Sequence, residues 1–138
     1  MDKQRRSLLV ATGALGAATV LPASANNTSC DSGALPSVVH MVYFWLRNPS
    51  SESDRDKLIS GLRSLTAIPE IASLHVGLPA STLKRDVIDN SFHVSELMMF
   101  HSVADQDTYQ NHPLHVKFVE EHAHLWDKVV VHDSISAP

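Results

Sequence analysis

Val38-Val39-His40-Met41-Val42-Tyr43-Phe44-Trp45-Leu46-Arg47 alternates along its length, and both of its faces are apolar. On a strand, His40, Val42, Phe44 and Leu46 share one face, while Met41, Tyr43 and Trp45 share the other. A strand buried on both sides in so short a chain implies helices against one face and a second copy of the chain against the other. The reading therefore predicts a homodimer closed through the sheet.

Downstream, Ser51 with Asp54 has the form of a capping box. Leu58, Ile59, Leu62 and Leu65 then give the apolar stripe of a first helix that ends before Pro69. Ile71 to Leu78 reads as a second strand, 79–90 as a polar connection and Ser91 to Ser102 as a third strand. A second helical region starts at Asp105, is broken and restarted by Pro113, and runs to Trp126 before a last strand from Lys128 to Ile135. The order strand, helix, strand, strand, helix, strand is that of an α+β, ferredoxin-like split βαβ arrangement, an antiparallel sheet with both helices on one face.

Upstream, Arg5-Arg6-Ser7-Leu8-Leu9 opens an uncharged apolar run that ends at Leu21-Pro22, followed by Ala23-Ser24-Ala25. This is the plan of an export signal over residues 1–25, with an A-x-A cleavage site. The run is shorter than the roughly 20 residues that span a bilayer. Gln4-Arg5-Arg6-Ser7-Leu8-Leu9 resembles the twin-arginine signal, with general secretory export as the other route. The expected location is periplasmic or secreted, without membrane attachment after cleavage. Residues 26–36, rich in Asn, Ser, Thr and Gly, read as a flexible leader, and 37–138 as a single domain.

Cleavage removes Lys3, Arg5, Arg6 and Asp2; with 11 basic residues less three and 15 acidic residues less one, the mature chain carries about −6. That balance argues against nucleic acid as a partner. Cys30 is the only cysteine, so no intrachain disulfide forms.

The second helical region carries the chemistry. Proline is favoured at the first helical position, so Asn111-His112-Pro113-Leu114-His115 puts His112 at a helix entrance and His115 one turn in. Phe118, His122 and Trp126 follow at helical spacing. A face that is half apolar and half titratable suits the wall of a pocket for a small organic ligand, lined here by His112 and Phe118.

The opening strand His40 to Arg47, Gly61-Leu62, Pro69, Val76-Gly77 and His112-Pro113-Leu114-His115 with Phe118 together resemble the stress-responsive A/B barrel (Dabb) domain over residues 37 to 135. The resemblance implies a ferredoxin-like domain that dimerises through its sheets into an α/β barrel. Within the family the site positions resemble those of a cofactor-free polyketide cyclase. There a tyrosine and the second histidine of an H-P-x-H motif close a ring by acid/base chemistry. These roles fall on Tyr109 and His115, with Asp133 implied as a carboxylate facing His115 and His40 as a ligand-binding histidine. His93 is implied as a further ligand-binding histidine, although the cyclase's pocket histidine falls one residue away from it, so that His93 reaches the pocket only through a bulge.

The chemistry can be stated without the family. Histidine titrates near neutrality, an aspartate can fix its tautomer, and a tyrosine hydroxyl can donate to a developing oxyanion. The expectation is acid/base turnover of an enolisable substrate, cyclase- or isomerase-like, with no cofactor. A non-catalytic ligand-binding or stress-related module using the same pocket is the competing class. A periplasmic metal-binding protein is a third, since the chain has nine histidines. The spacing disfavours it: His115 and His122 lie two turns apart on one face, His124 points elsewhere, and no H-x-x-x-H pair occurs on this helix, so no metal is expected.

Overall fold

The computed structural model describes residues 35–138. The expected signal segment, and all but the last two residues of the expected leader, lie outside them.

The element order is β1 (Val38–Leu46), α1 (Glu52–Ser64), β2 (Ser73–Gly77), β3 (Val94–Phe100), α2 (Val103–Asn111), α3 (Pro113–His122) and β4 (Trp126–Ile135). Short 3₁₀ turns at Leu65–Ala67 and Ala123–Leu125 follow α1 and α3. The strands form one antiparallel sheet in the order β2-β3-β1-β4, the ferredoxin-like arrangement. β1 and β3 both alternate strictly between buried and half-buried residues, as the two-faced reading of Val38 to Leu46 requires.

The helices start where the sequence provides caps. Ser51 Oγ accepts from Asp54 N–H at 3.2 Å, but the box is half made. The Ser51 N–H goes to the Asn48 carbonyl, and the Asp54 carboxylate accepts from the Asn48 amide. Ser102, not Asp105, caps α2, its Oγ accepting from Asp105 N–H at 3.1 Å, so the helix begins at Val103. The break at Pro113 is real. His112 takes the extended conformation that the residue before proline prefers and separates α2 from α3.

α1 covers β2 and β3 with Leu58 and Leu62, both 0% exposed, and shares one core with Val94, Met98 and Phe100 from the sheet. Gly61 lets α3 come close: a Cβ there would lie 2.5 Å from His122 Nε2. That ring is held by its own Nδ1–H donating to the Phe118 carbonyl at 2.9 Å.

The opposite sheet face keeps Met41, Tyr43 and Trp45 half-buried in the single chain. Tyr43 packs edge-on against Phe92 and His132, and Lys128 Nζ sits 4.2 Å above the Trp45 ring.

Candidate functional site

Three strands and two helices surround a cavity of about 390 Å³ on the helix-covered face, near the β4 edge. Its walls are mostly apolar, from Val42 and Phe44 on β1, Phe118 and Val119 on α3, and Trp126, Val129 and Val131 on β4. Into this setting the fold brings His40, Glu96, Tyr109, His115 and Asp133. An apolar cavity with a few convergent polar groups is the usual form of a small-molecule site.

Register places the first pair. His40 on β1 lies opposite Asp133 on β4, and His40 Nδ1 stands 2.6 Å from Asp133 Oδ1. A carboxylate can only accept, so the Nδ1–H donates and the imidazole is fixed in the tautomer that leaves Nε2 free. His40 is buried, whereas the Asp133 side chain is 55% exposed, so the carboxylate keeps its hydration while orienting a buried ring.

His115 is fixed differently. Its Nδ1 stands 3.0 Å from the Gln110 carbonyl, which again can only accept, so Nε2 carries the lone pair. Burial lowers its pKa against the opposing hydrogen bond that the ring donates to the Gln110 carbonyl, and nearby His40 lowers it further. A neutral imidazole with a free Nε2 is what a general base requires. The ring lies over Tyr109, centroids 4.5 Å apart, and Tyr109 in turn packs against Phe100 and edge-on against His40. Tyr109 is buried, and desolvation with the neighbouring Glu96 pushes its hydroxyl well above the usual tyrosine range. It therefore stays protonated, a donor rather than a base.

Three expectations about the site need correction. Asp133 is not the partner of His115: the strand register hands it to His40, and a backbone carbonyl does the orienting of His115. His112 does not line the cavity. It is the N-cap of α3, its Nδ1 accepting from Leu114 N–H at 3.2 Å, and so serves the helix. His93 is also elsewhere. With β3 and β1 in unbroken register, it projects away from the face of Val94 and accepts from Leu46 N–H at 2.8 Å, beside Pro49 and Arg55. His40, Tyr109, His115 and Phe118 do come together, as expected.

One group escaped the sequence reading. Glu96 is 2% exposed, and its Oε1 is buried without a hydrogen-bond partner among the described residues. Desolvation pushes its carboxyl up to about 8. The signal was present in the strand itself. Glu96 falls in phase with Val94, Met98 and Phe100, a lone ionisable residue on the apolar parity of the strand.

Comparison with known proteins agrees with this architecture. A Dabb family protein with a ferredoxin-like fold from Mesorhizobium loti is 23% identical, with TM-score 0.61, over 73% of this chain and 97% of its own. Hydroxynitrile lyase from Passiflora edulis is 27% identical, with TM-score 0.62, over 74% and 95%. A dimeric ferredoxin-like protein from Thermobifida fusca is 17% identical, with TM-score 0.59, over 72% and 91%. No curated protein matches the chain by sequence. The pattern of the Stress responsive A/B Barrel Domain matches residues 38–136, and the chain belongs to that family, Dabb.

Proposed function

We propose that this domain binds a small, largely apolar molecule bearing a carbonyl or hydroxyl oxygen and moves a proton on it without a cofactor. The observation that carries the reading is the neutral, Nε2-accepting His115 beside a protonated Tyr109 at an apolar cavity. With an enolisable substrate, His115 Nε2 takes the proton next to the carbonyl. The C–H electron pair forms the enolate, and the oxygen charge that develops is met by a hydrogen bond from Tyr109. The protonated imidazole then returns the proton to the product. His40, oriented by Asp133, supplies a second imidazole for the ligand's polar end. These positions resemble those of olivetolic acid cyclase, which makes β-polyketones the first substrates to try.

A second reading is supported by the Passiflora enzyme. In cyanohydrin cleavage the same base would take the hydroxyl proton while the C–CN bond breaks onto cyanide and leaves a carbonyl, the imidazolium returning its proton to cyanide. Assay of β-polyketones and mandelonitrile with the full chain, His115→Ala and Tyr109→Phe separates these readings from pure binding. Any activity that survives both substitutions unchanged rejects the site.

The working unit in this proposal is an exported homodimer closed over Met41, Tyr43 and Trp45. The dimeric Thermobifida relative and the half-buried aromatic face support the assembly. Residues 1–25 are expected to be absent from the exported protein, and their persistence in its mass spectrum would reject processing there.

A further inference from the structure

Glu96 is an unusual residue for the floor of an apolar cavity. β3 lies inside the sheet, between β2 and β1, so Glu96 sits opposite Val42 on one side and Val76 on the other, away from any sheet edge. No cation pairs with it: the salt bridges of the described residues involve other carboxylates, and Oε1 has no hydrogen-bond partner there. A buried acid left in this state costs stability that a valine or leucine in the same place would not. A residue that breaks the pattern of its strand without a partner in the fold is one whose partner comes from outside.

We propose that Glu96 is the ligand-binding hydrogen-bond donor of the cavity: its un-ionised carboxyl donates to an acceptor oxygen of an uncharged carbonyl compound, the remaining carboxyl oxygen accepting from a hydroxyl where the ligand has one. The proposal rests on the small-molecule reading above and narrows it to neutral, enolisable carbonyl compounds such as 1,3-diketones. A cationic ligand fits less well, because the un-ionised Glu96 carboxyl offers it no counter-charge among mostly apolar walls. An anionic ligand would set its charge beside Glu96 in a site with little water. Together with Tyr109, Glu96 gives the ligand two protonated donors, while His115 and His40 present free Nε2 atoms. That separation of donors from bases is what distinguishes the two ends of an enol or β-diketone.

Titration of the full chain with benzoylacetone (1-phenylbutane-1,3-dione) tests this. Wild type is expected to bind it and not benzylammonium. Glu96→Gln, which keeps a donor in place, is expected to bind close to wild type, and Glu96→Val about 10-fold more weakly, the worth of one hydrogen bond. The other titratable groups lining the cavity are His40 from β1, Tyr109 from α2, His115 from α3 and Asp133 from β4; α1 and β2 contribute none. Weakening above neutral pH that is seen in wild type and absent from Glu96→Gln therefore belongs to Glu96. Infrared spectra near neutral pH should contain a protonated-carboxyl band that Glu96→Gln lacks.

Thermal unfolding guards against a folding artefact, with Glu96→Val expected at or above the wild-type midpoint. Equal affinity of wild type and Glu96→Val, absence of the infrared band, a Glu96→Val midpoint below wild type, preference for benzylammonium, or no benzoylacetone binding by wild type would each overturn the proposal. The acid/base reading fails separately. Binding that depends on Glu96, with no turnover of any substrate, leaves Glu96 standing and rejects only the proton-transfer role of His115.

Discussion

The helix-covered face of the sheet has two halves, built on different strand pairs of one sheet and finished in different ways. Over β2 and β3, α1 and the turn after it fill the space completely: Leu58, Leu62, Leu65 and Ile68 are sealed against Met98 and Val94. Over β1 and β4, α2 and α3 stand off. Val129 and Val131 on the β4 edge are left more than 40% exposed, and a cavity opens that collects His40, Glu96, Tyr109 and His115. Beneath α1 the sealed positions are all apolar, whereas the cavity breaks that rule at His40 on β1 and at Glu96 on β3. Violations of binary pattern gathered in one place, beside a region that obeys it, mark where stability has been exchanged for chemistry.

Matched substitutions in the two halves give the sharpest contrast. His115→Ala is expected to lower any turnover by about two to four orders of magnitude while the midpoint of thermal unfolding changes little. A large fall in midpoint with activity retained would make His115 a packing residue. Leu62→Ala should do the reverse, costing about 2–5 kcal/mol in denaturant unfolding, since α1 cannot collapse onto the cavity it leaves. If Leu62→Ala costs no more than a surface change, the α1 half is not the stable one.

The outer face provides a third comparison. Trp45→Glu places a charge amid Tyr43, Phe92 and Lys128 and is expected to give monomer or aggregate in light scattering at micromolar concentration. A wild-type protein already monomeric under those conditions would remove the dimer from the account.

The smallest expected effect is on the pH dependence of stability. With Glu96 pushed up to about 8 from the ordinary 4.5, the native state keeps a proton that the unfolded chain releases, so its contribution is fully present below about 4.5 and is lost as pH rises through about 8. His115 works in the opposite sense. Its lowered folded pKa makes stability fall as pH drops below the ordinary histidine value, about 6.5. Denaturant unfolding of wild type and Glu96→Gln across this range should show wild type losing ground to the variant as pH rises. Parallel curves would mean that Glu96 ionises normally.

Much of this was legible in the sequence for physical reasons that differ by region. The strand Val38–Leu46 declares itself because side chains alternate, and that period survives any error at its ends. Pro113 marks the break between α2 and α3 because it restricts the residue before it. Tyr109 and His115 were found together because both lie on local elements a few residues apart. The pairing of Asp133 was misassigned because it depends on long-range register, which sets His40 and not His115 opposite it. His112 was drawn into the pocket by proximity in sequence, although the start of a helix is the place where a side chain is taken up by backbone N–H groups. Glu96 was readable and passed over, since one acid inside an apolar strand stands out only when the parity of each residue is followed.

The measurement closest to the central claim is a ¹H–¹⁵N and ¹H–¹³C chemical-shift map of the full chain during benzoylacetone titration. The account predicts perturbations clustered at His40, Glu96, Tyr109, His115, Phe118 and Val131, with Leu58, Leu62 and the outer residues Tyr43 and Trp45 unmoved. Shifts confined to the outer sheet face or to the surface around His93, with the cavity residues silent, would contradict it.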